Sequence, residues 1–142
     1  MTIKAILCTV AGAIGGFITY FIGGWTMDIT TLCVFMAIDF LTGLMVAAVF
    51  HKSNKTQEGT LSSKVSFKGL CKKVVILLLV GVGHMLDLYL NINFIRTGVI
   101  IGFMVNELIS IVENAGLMGI TSPIITEAVE ILKKKVDEER EN

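Results

Sequence analysis

The sequence predicts an all-α integral membrane protein with about four transmembrane helices and an amphipathic cytoplasmic helix at its C-terminus. Three observations predict it. Hydrophobic residues fill 54 % of the 142 positions and charged residues only 17 %, whereas a soluble domain carries charge on roughly a quarter of its residues. Mean hydropathy is +0.77, so there is too little polar surface to wrap the hydrocarbon and lipid must supply the missing boundary. The single proline favours long uninterrupted helices over turn-rich β structure.

The first apolar segment covers residues 5–24, preceded by Lys4 and closed by Gly23, Gly24 and Trp25. At about 1.5 Å per residue such a run crosses a hydrocarbon core of about 30 Å. A cleavable signal peptide also pairs a cation with an apolar stretch. This run is too long for one, and no small-x-small site precedes a soluble domain, so a retained helix is expected.

The second segment, 30–50, carries one charge, Asp39, near its midpoint. A central Asp costs about 2.5 to 3.5 kcal/mol of insertion free energy, while each apolar residue contributes about −0.3 to −0.6, so the segment still inserts. Composition then changes abruptly over 51–73, HKSNKTQEGTLSSKVSFKGLCKK, where Lys52, Lys55, Lys64, Lys68, Lys72 and Lys73 face the single acid Glu58. A third segment, 74–90, carries His84 and Asp87 toward its far end, and Asn91 and Asn93 mark a turn. The fourth, 97–116, is interrupted by Asn106, Glu107, Ser110, Glu113 and Asn114; a three-span topology with this segment lying shallow is the alternative.

Residues 1–121 thus form a transmembrane domain and 122–142 a tail. In the tail, Ser122 suits an N-cap and Pro123 the first helical position. Ile125, Leu132 and Val136, with Ala128 and Val129 between them, recur at helical spacing, while Lys133, Lys134 and Lys135 lie partly on the other side. That pattern is an amphipathic helix ending in a solvated charged segment.

Net charge is zero, with 12 cations and 12 acids, so no global attraction to nucleic acid is implied. The distribution is more informative. With the Lys-rich loop in the cytoplasm, four spans place every cation inside except Arg96, a strong positive-inside signal that predicts a multi-pass protein of the cytoplasmic membrane with both termini cytoplasmic. The loop lysines then fix topology and meet lipid headgroups.

Asp39, Asp87 and Glu107 are acids within or near the membrane, and no Lys or Arg falls inside the apolar segments to pair with them. Such groups face protein or water rather than lipid. His84 and Asp87, three residues apart, share a helical face, which permits a hydrogen bond or ion pair. Asn106, Ser110 and Glu113 form a polar stripe, with Glu107 and Asn114 beside it. Two readings stay open: the polar groups fix helix packing, or several subunits bring the stripes together around a wet interior.

Gly12 with Gly16, and Gly98 with Gly102, have GxxxG spacing, and Ala11 with Gly15 repeats the small-residue pattern, which permits close helix approach and oligomers. Cys8, Cys33 and Cys71, odd in number and without CxxC spacing, read as small apolar fillers. Hydrolase, zinc-protease, P-loop and dinucleotide motifs are absent, so neither enzymatic activity nor a cofactor or metal is expected.

Several of these pieces recur together. Asp39 and Gly43 in AIDFLTGLMVA, then SSKVSFKGLCKK running into a span that ends HMLD, then GFMVNELISIVENAGLMGI and the Ser-Pro of the tail, resemble the phage holin family that includes clostridial toxin-secretion holins. The resemblance covers roughly 90 residues from Ala37 to beyond Pro123, and Asp39, Gly43, Lys72, Lys73, Asp87, Asn106, Glu107, Glu113 and Asn114 match its pattern. It implies a small protein that accumulates and oligomerises in the bacterial membrane, then opens lesions that release a cell-wall hydrolase or toxin during lysis or collapse the membrane potential. Two other functions fit the composition. One is a small channel or transporter using Asp39 and Glu107 as proton or cation sites; the other is a structural subunit that docks a partner through the tail helix.

Overall fold

The computed structural model describes residues 2–120 and 122–141, with side chains described at all of these except 136, 139, 140 and 141. The expectations for Val136 and Arg140 therefore lie outside the described side chains. Five α-helices follow in order: α1 Ile3–Phe21, α2 Met27–Ala48, α3 Ser63–Leu90, α4 Ile95–Leu117 and α5 Pro123–Glu141. The described residues contain no strand. Helices α1 to α4 are each long and apolar enough to cross a membrane, including the fourth, which is one continuous helix.

Helix α4 is the organising element, packed against α2 on one side and α3 on the other, while α2 and α3 touch each other far less. The buried positions explain this arrangement. They recur at heptad spacing: Ile29, Leu32, Met36, Asp39 and Val46 on α2; Val80 and Asp87 on α3; Ile100, Glu107 and Asn114 on α4. A stripe of this kind presents one helix face to its neighbours and leaves the rest to lipid. Ile22, Ile29, Leu32, Met36, Val80 and Ile100 form the apolar core, flanked by Phe103 and Met104.

Helix α1 has no buried residue. Its C-terminal end alone is seated: Phe21 lies so close to α3 that a Cβ on Gly81 would come within 2.0 Å of the Phe21 ring, and Ile22 enters the core. Gly23 and Gly24, at φ of 81° and 90°, make the turn into α2, a conformation that side-chain-bearing residues rarely adopt.

Helix α3 begins at Ser63, not at Val74 where the continuous apolar run starts. Its 28 residues span about 42 Å at 1.5 Å per residue, more than a hydrocarbon core of about 30 Å. The basic first turns therefore extend helically beyond the apolar slab, and only 49–62 remain as a non-helical connection. On the tail helix, Val129 is buried and Ile125 is 50 % exposed, so the apolar side is only partly covered; Lys133 pairs with Glu113 of α4 at the surface.

Candidate functional site

A charged cluster lies one helical turn beyond the apolar core, toward the 49–62 connection. The Lys73 ammonium lies 2.7 Å from Asp39 Oδ2 and 2.5 Å from Glu107 Oε2, so α3 bridges α2 and α4 through a single cation. The side chains are 14 %, 11 % and 9 % exposed for Lys73, Asp39 and Glu107, which removes all three from bulk solvent. Burial of charge is tolerated only where partners compensate the lost hydration. Asn114 adds a further link, donating from Nδ2 to the Asp39 carbonyl and Oδ1 at 3.3 Å each and to Thr42 Oγ1 at 3.0 Å. Gly43 lies beside it, where a Cβ would meet Asn114 Nδ2 at 3.7 Å, an ordinary contact.

This cluster corrects the expectation that the intramembrane acids lack a cation. Lys73 is the last residue of the basic stretch, and composition alone places it with the headgroup lysines. In the fold it turns inward, because α3 is already helical there and Lys73 falls on the face of Val80 and Asp87 at intervals of seven residues. That spacing is the signal by which the sequence could have assigned it to the interior. Thr42, one turn from Asp39, carried no comparable signal.

The other expected residues divide cleanly. Ser110 lines the same cleft as Asp39 and Glu107, whereas Asn106 is exposed and Glu113 lies at the surface. The polar stripe on α4 is thus split, with its Glu107 and Asn114 edge inside. Asp87 occupies the opposite end of the bundle, where its two carboxylate oxygens accept hydrogen bonds from the backbone N–H groups of Ile95 and Arg96 at 2.9 Å each. His84, one turn earlier on α3, lies within electrostatic reach of those oxygens, which cap α4 from the preceding helix, satisfying donors that a helix start leaves free. Asn91, at φ 54° and ψ 46°, provides the left-handed turn that brings them there.

Arg96, expected alone on the outer side, also has partners. It donates from Nε to the Ile22 carbonyl at 2.6 Å, from Nη1 to Asp28 Oδ2 at 3.0 Å and from Nη2 to Thr26 Oγ1 at 2.8 Å. This guanidinium fastens α4 to the turn between α1 and α2. Gly12, Gly16, Gly98 and Gly102 face open space, with nothing within 4 Å of a Cβ built on any of them, so the GxxxG pairs make no contact within one copy.

An apolar bundle of four spanning helices, with charge confined to an internally compensated cluster and to its ends, defines a small multi-span membrane protein. The chain belongs to the bacteriophage holin family, whose model matches residues 16–134. It is 34 % identical over 137 residues to an uncharacterized protein of Halalkalibacterium halodurans, covering 92 % of this chain and 96 % of that one. An uncharacterized Listeria monocytogenes protein is 36 % identical over 132 residues, 92 % of this chain and 86 % of its own. In Clostridium perfringens, an uncharacterized 14.9 kDa protein in the nagH 3' region is 34 % identical over 113 residues, 78 % and 80 % of the two chains. No solved structure matches the chain.

Proposed function

We propose that the chain acts as a holin: copies gather in the bacterial cytoplasmic membrane, with both termini in the cytoplasm, and permeabilise it so that a cell-wall hydrolase or toxin escapes. The observation that carries this reading is the Asp39–Lys73–Glu107 cluster inside a bundle whose outer faces are apolar. In a single copy Lys73 holds both acids inside the bundle and the outer faces are mostly apolar, so a lone copy keeps its charge away from lipid. Separation of α2 from α4 and α3 would present two acids and a lysine to water, and hydrated polar faces are stable in a bilayer only when several copies share them. Helix α1, which buries nothing in its own copy, and the open glycine faces leave room for such association.

The test is inducible expression beside a cell-wall hydrolase in a bacterial host. The expected outcome is a delayed, abrupt drop in turbidity together with loss of membrane potential. Cells that stay intact and polarised while the protein accumulates to high levels would sink the proposal. Two acids sharing one lysine also suit a proton- or cation-coupled carrier. Saturable, gradient-driven flux in proteoliposomes without leakage of large dyes would favour that second reading.

A further inference from the structure

On the side of the 49–62 connection a cleft of about 490 Å³ opens above the Lys73 cluster, lined by the connection, α2 and α3, with Asp39, Glu107 and Ser110 at its floor. Its wall is divided by chemistry. Lys55, Lys68 and Lys72 line it from the connection and from the first turns of α3, whereas Phe40, Leu44 and Val65 line it with hydrocarbon. Lys73 also reaches the cleft but is held by Asp39 and Glu107, so the other three lysines give the mouth its charge. Lys52 and Lys64, from the same basic stretch, do not line it.

The connection is held in place rather than left open. Ser53 donates from its backbone N–H to the Gly59 carbonyl at 3.0 Å, and Thr56 Oγ1 donates to the Thr60 carbonyl at 2.9 Å. Gly59, at φ +70°, permits this closure, since a Cβ there would lie 2.3 Å from the His51 carbonyl. Lys55 is thereby carried to the cleft, within electrostatic reach of Asp39.

We infer that this cleft binds one anionic phospholipid, its phosphate between Lys55, Lys68 and Lys72 and the start of an acyl chain against Phe40, Leu44 and Val65. Charge complementarity and position support this occupant together. A lysine is attracted to anionic headgroups most strongly at the edge of the hydrocarbon, which is where α3 passes from its basic turns into its apolar run. An apolar wall directly below a cationic mouth suits a phosphate attached to a hydrocarbon chain better than a free phosphate. The inference rests on membrane insertion alone, so it stands or falls separately from permeabilisation.

The experiment uses the full chain purified in a neutral detergent, with phosphatidylglycerol, phosphatidylcholine and inorganic phosphate as probes, read by native mass spectrometry and by thermal stability. The expected result is one retained phosphatidylglycerol and a melting temperature raised by that lipid only. Replacing three lysines as K55Q, K68Q and K72Q together should weaken retention on the order of a hundredfold, at roughly fivefold per lysine. The control K52Q with K64Q, which removes two charges of the same basic stretch outside the cleft, should retain the lipid as the natural chain does. Equal loss in both variants, or equal retention of phosphatidylcholine, overturns the site. Stabilisation by inorganic phosphate equal to that by the lipid overturns the lipid as its occupant. Circular dichroism establishes that each variant is helical, and the three single replacements substitute for the triple one if it fails to fold.

Discussion

Lys73 Nζ and Asp39 Oδ2 lie 2.7 Å apart across 34 residues of sequence, and the same ammonium reaches Glu107 another 34 residues on. One cation thus joins three spans at a single level of the bundle. Removing it and removing one of its acids should have unequal consequences.

Lys73→Ala leaves two buried carboxylates facing each other without a counter-charge, a change that costs about 3–5 kcal/mol when a buried pair is broken. Glu107→Gln keeps a one-to-one pair between Lys73 and Asp39 and should cost about 1–2 kcal/mol. Thermal or denaturant unfolding in detergent micelles checks the order. Equal losses for the two would mean that Lys73 contributes no compensation beyond an ordinary hydrogen bond.

Asp39→Asn should preserve insertion while shifting the onset of lysis at matched expression. The amide keeps the shape and the contact with Asn114 but loses the charge held by Lys73. Turbidity traces beside immunoblots of the membrane fraction measure it. An unchanged onset would place Asp39 among groups that serve packing only.

Arg96→Ala should release α1. The guanidinium supplies three of the bonds that hold the turn between α1 and α2, and α1 buries nothing along its own length; the loss is about 2–4 kcal/mol for a part-buried charged group. Cys8 and Cys71 are exposed natural thiols, so nitroxides placed on them, with Cys33 replaced by Ala, report the separation of α1 from α3. A broadened distance distribution in the variant is the expected readout, and an unchanged one removes Arg96 as the anchor.

The glycines should separate into two classes. A Cβ at Gly83 would lie 3.2 Å from the Arg96 Cα, so Gly83→Ala should cost about 1–3 kcal/mol as the α3–α4 contact spreads. Gly98→Ala and Gly102→Ala meet nothing and should be neutral or gain up to about 1 kcal/mol in helix propensity. Melting curves of detergent-solubilised monomers measure both. If these outward variants leave the monomer intact but reduce chemical cross-linking between copies in membranes, the open glycine face is an assembly surface.

Much of the architecture was written in local composition. Four apolar runs of spanning length fix four helices because backbone polar groups in lipid must be satisfied within the segment itself, but the stripe read on α4, Asn106, Ser110 and Glu113, is not its buried side, which carries Glu107 and Asn114. What composition concealed was the start of α3. Hydrophobicity begins at Val74, but helix formation depends on backbone hydrogen bonds and favourable contacts, both of which continue back through the polar residues to Ser63. Composition therefore gives Lys73 the appearance of a loop cation.

By itself the sequence determined that this chain folds as helices in a membrane and which residues resemble those of holins, because these follow from hydropathy and motif along one chain. Only the tertiary structure decided which charges meet. Pairing of Lys73 with Asp39 and Glu107, capping of α4 by Asp87, and fastening of the first turn by Arg96 depend on how far each helix slides along its neighbours. That offset is set by side-chain packing among three helices at once, a quantity no single segment contains.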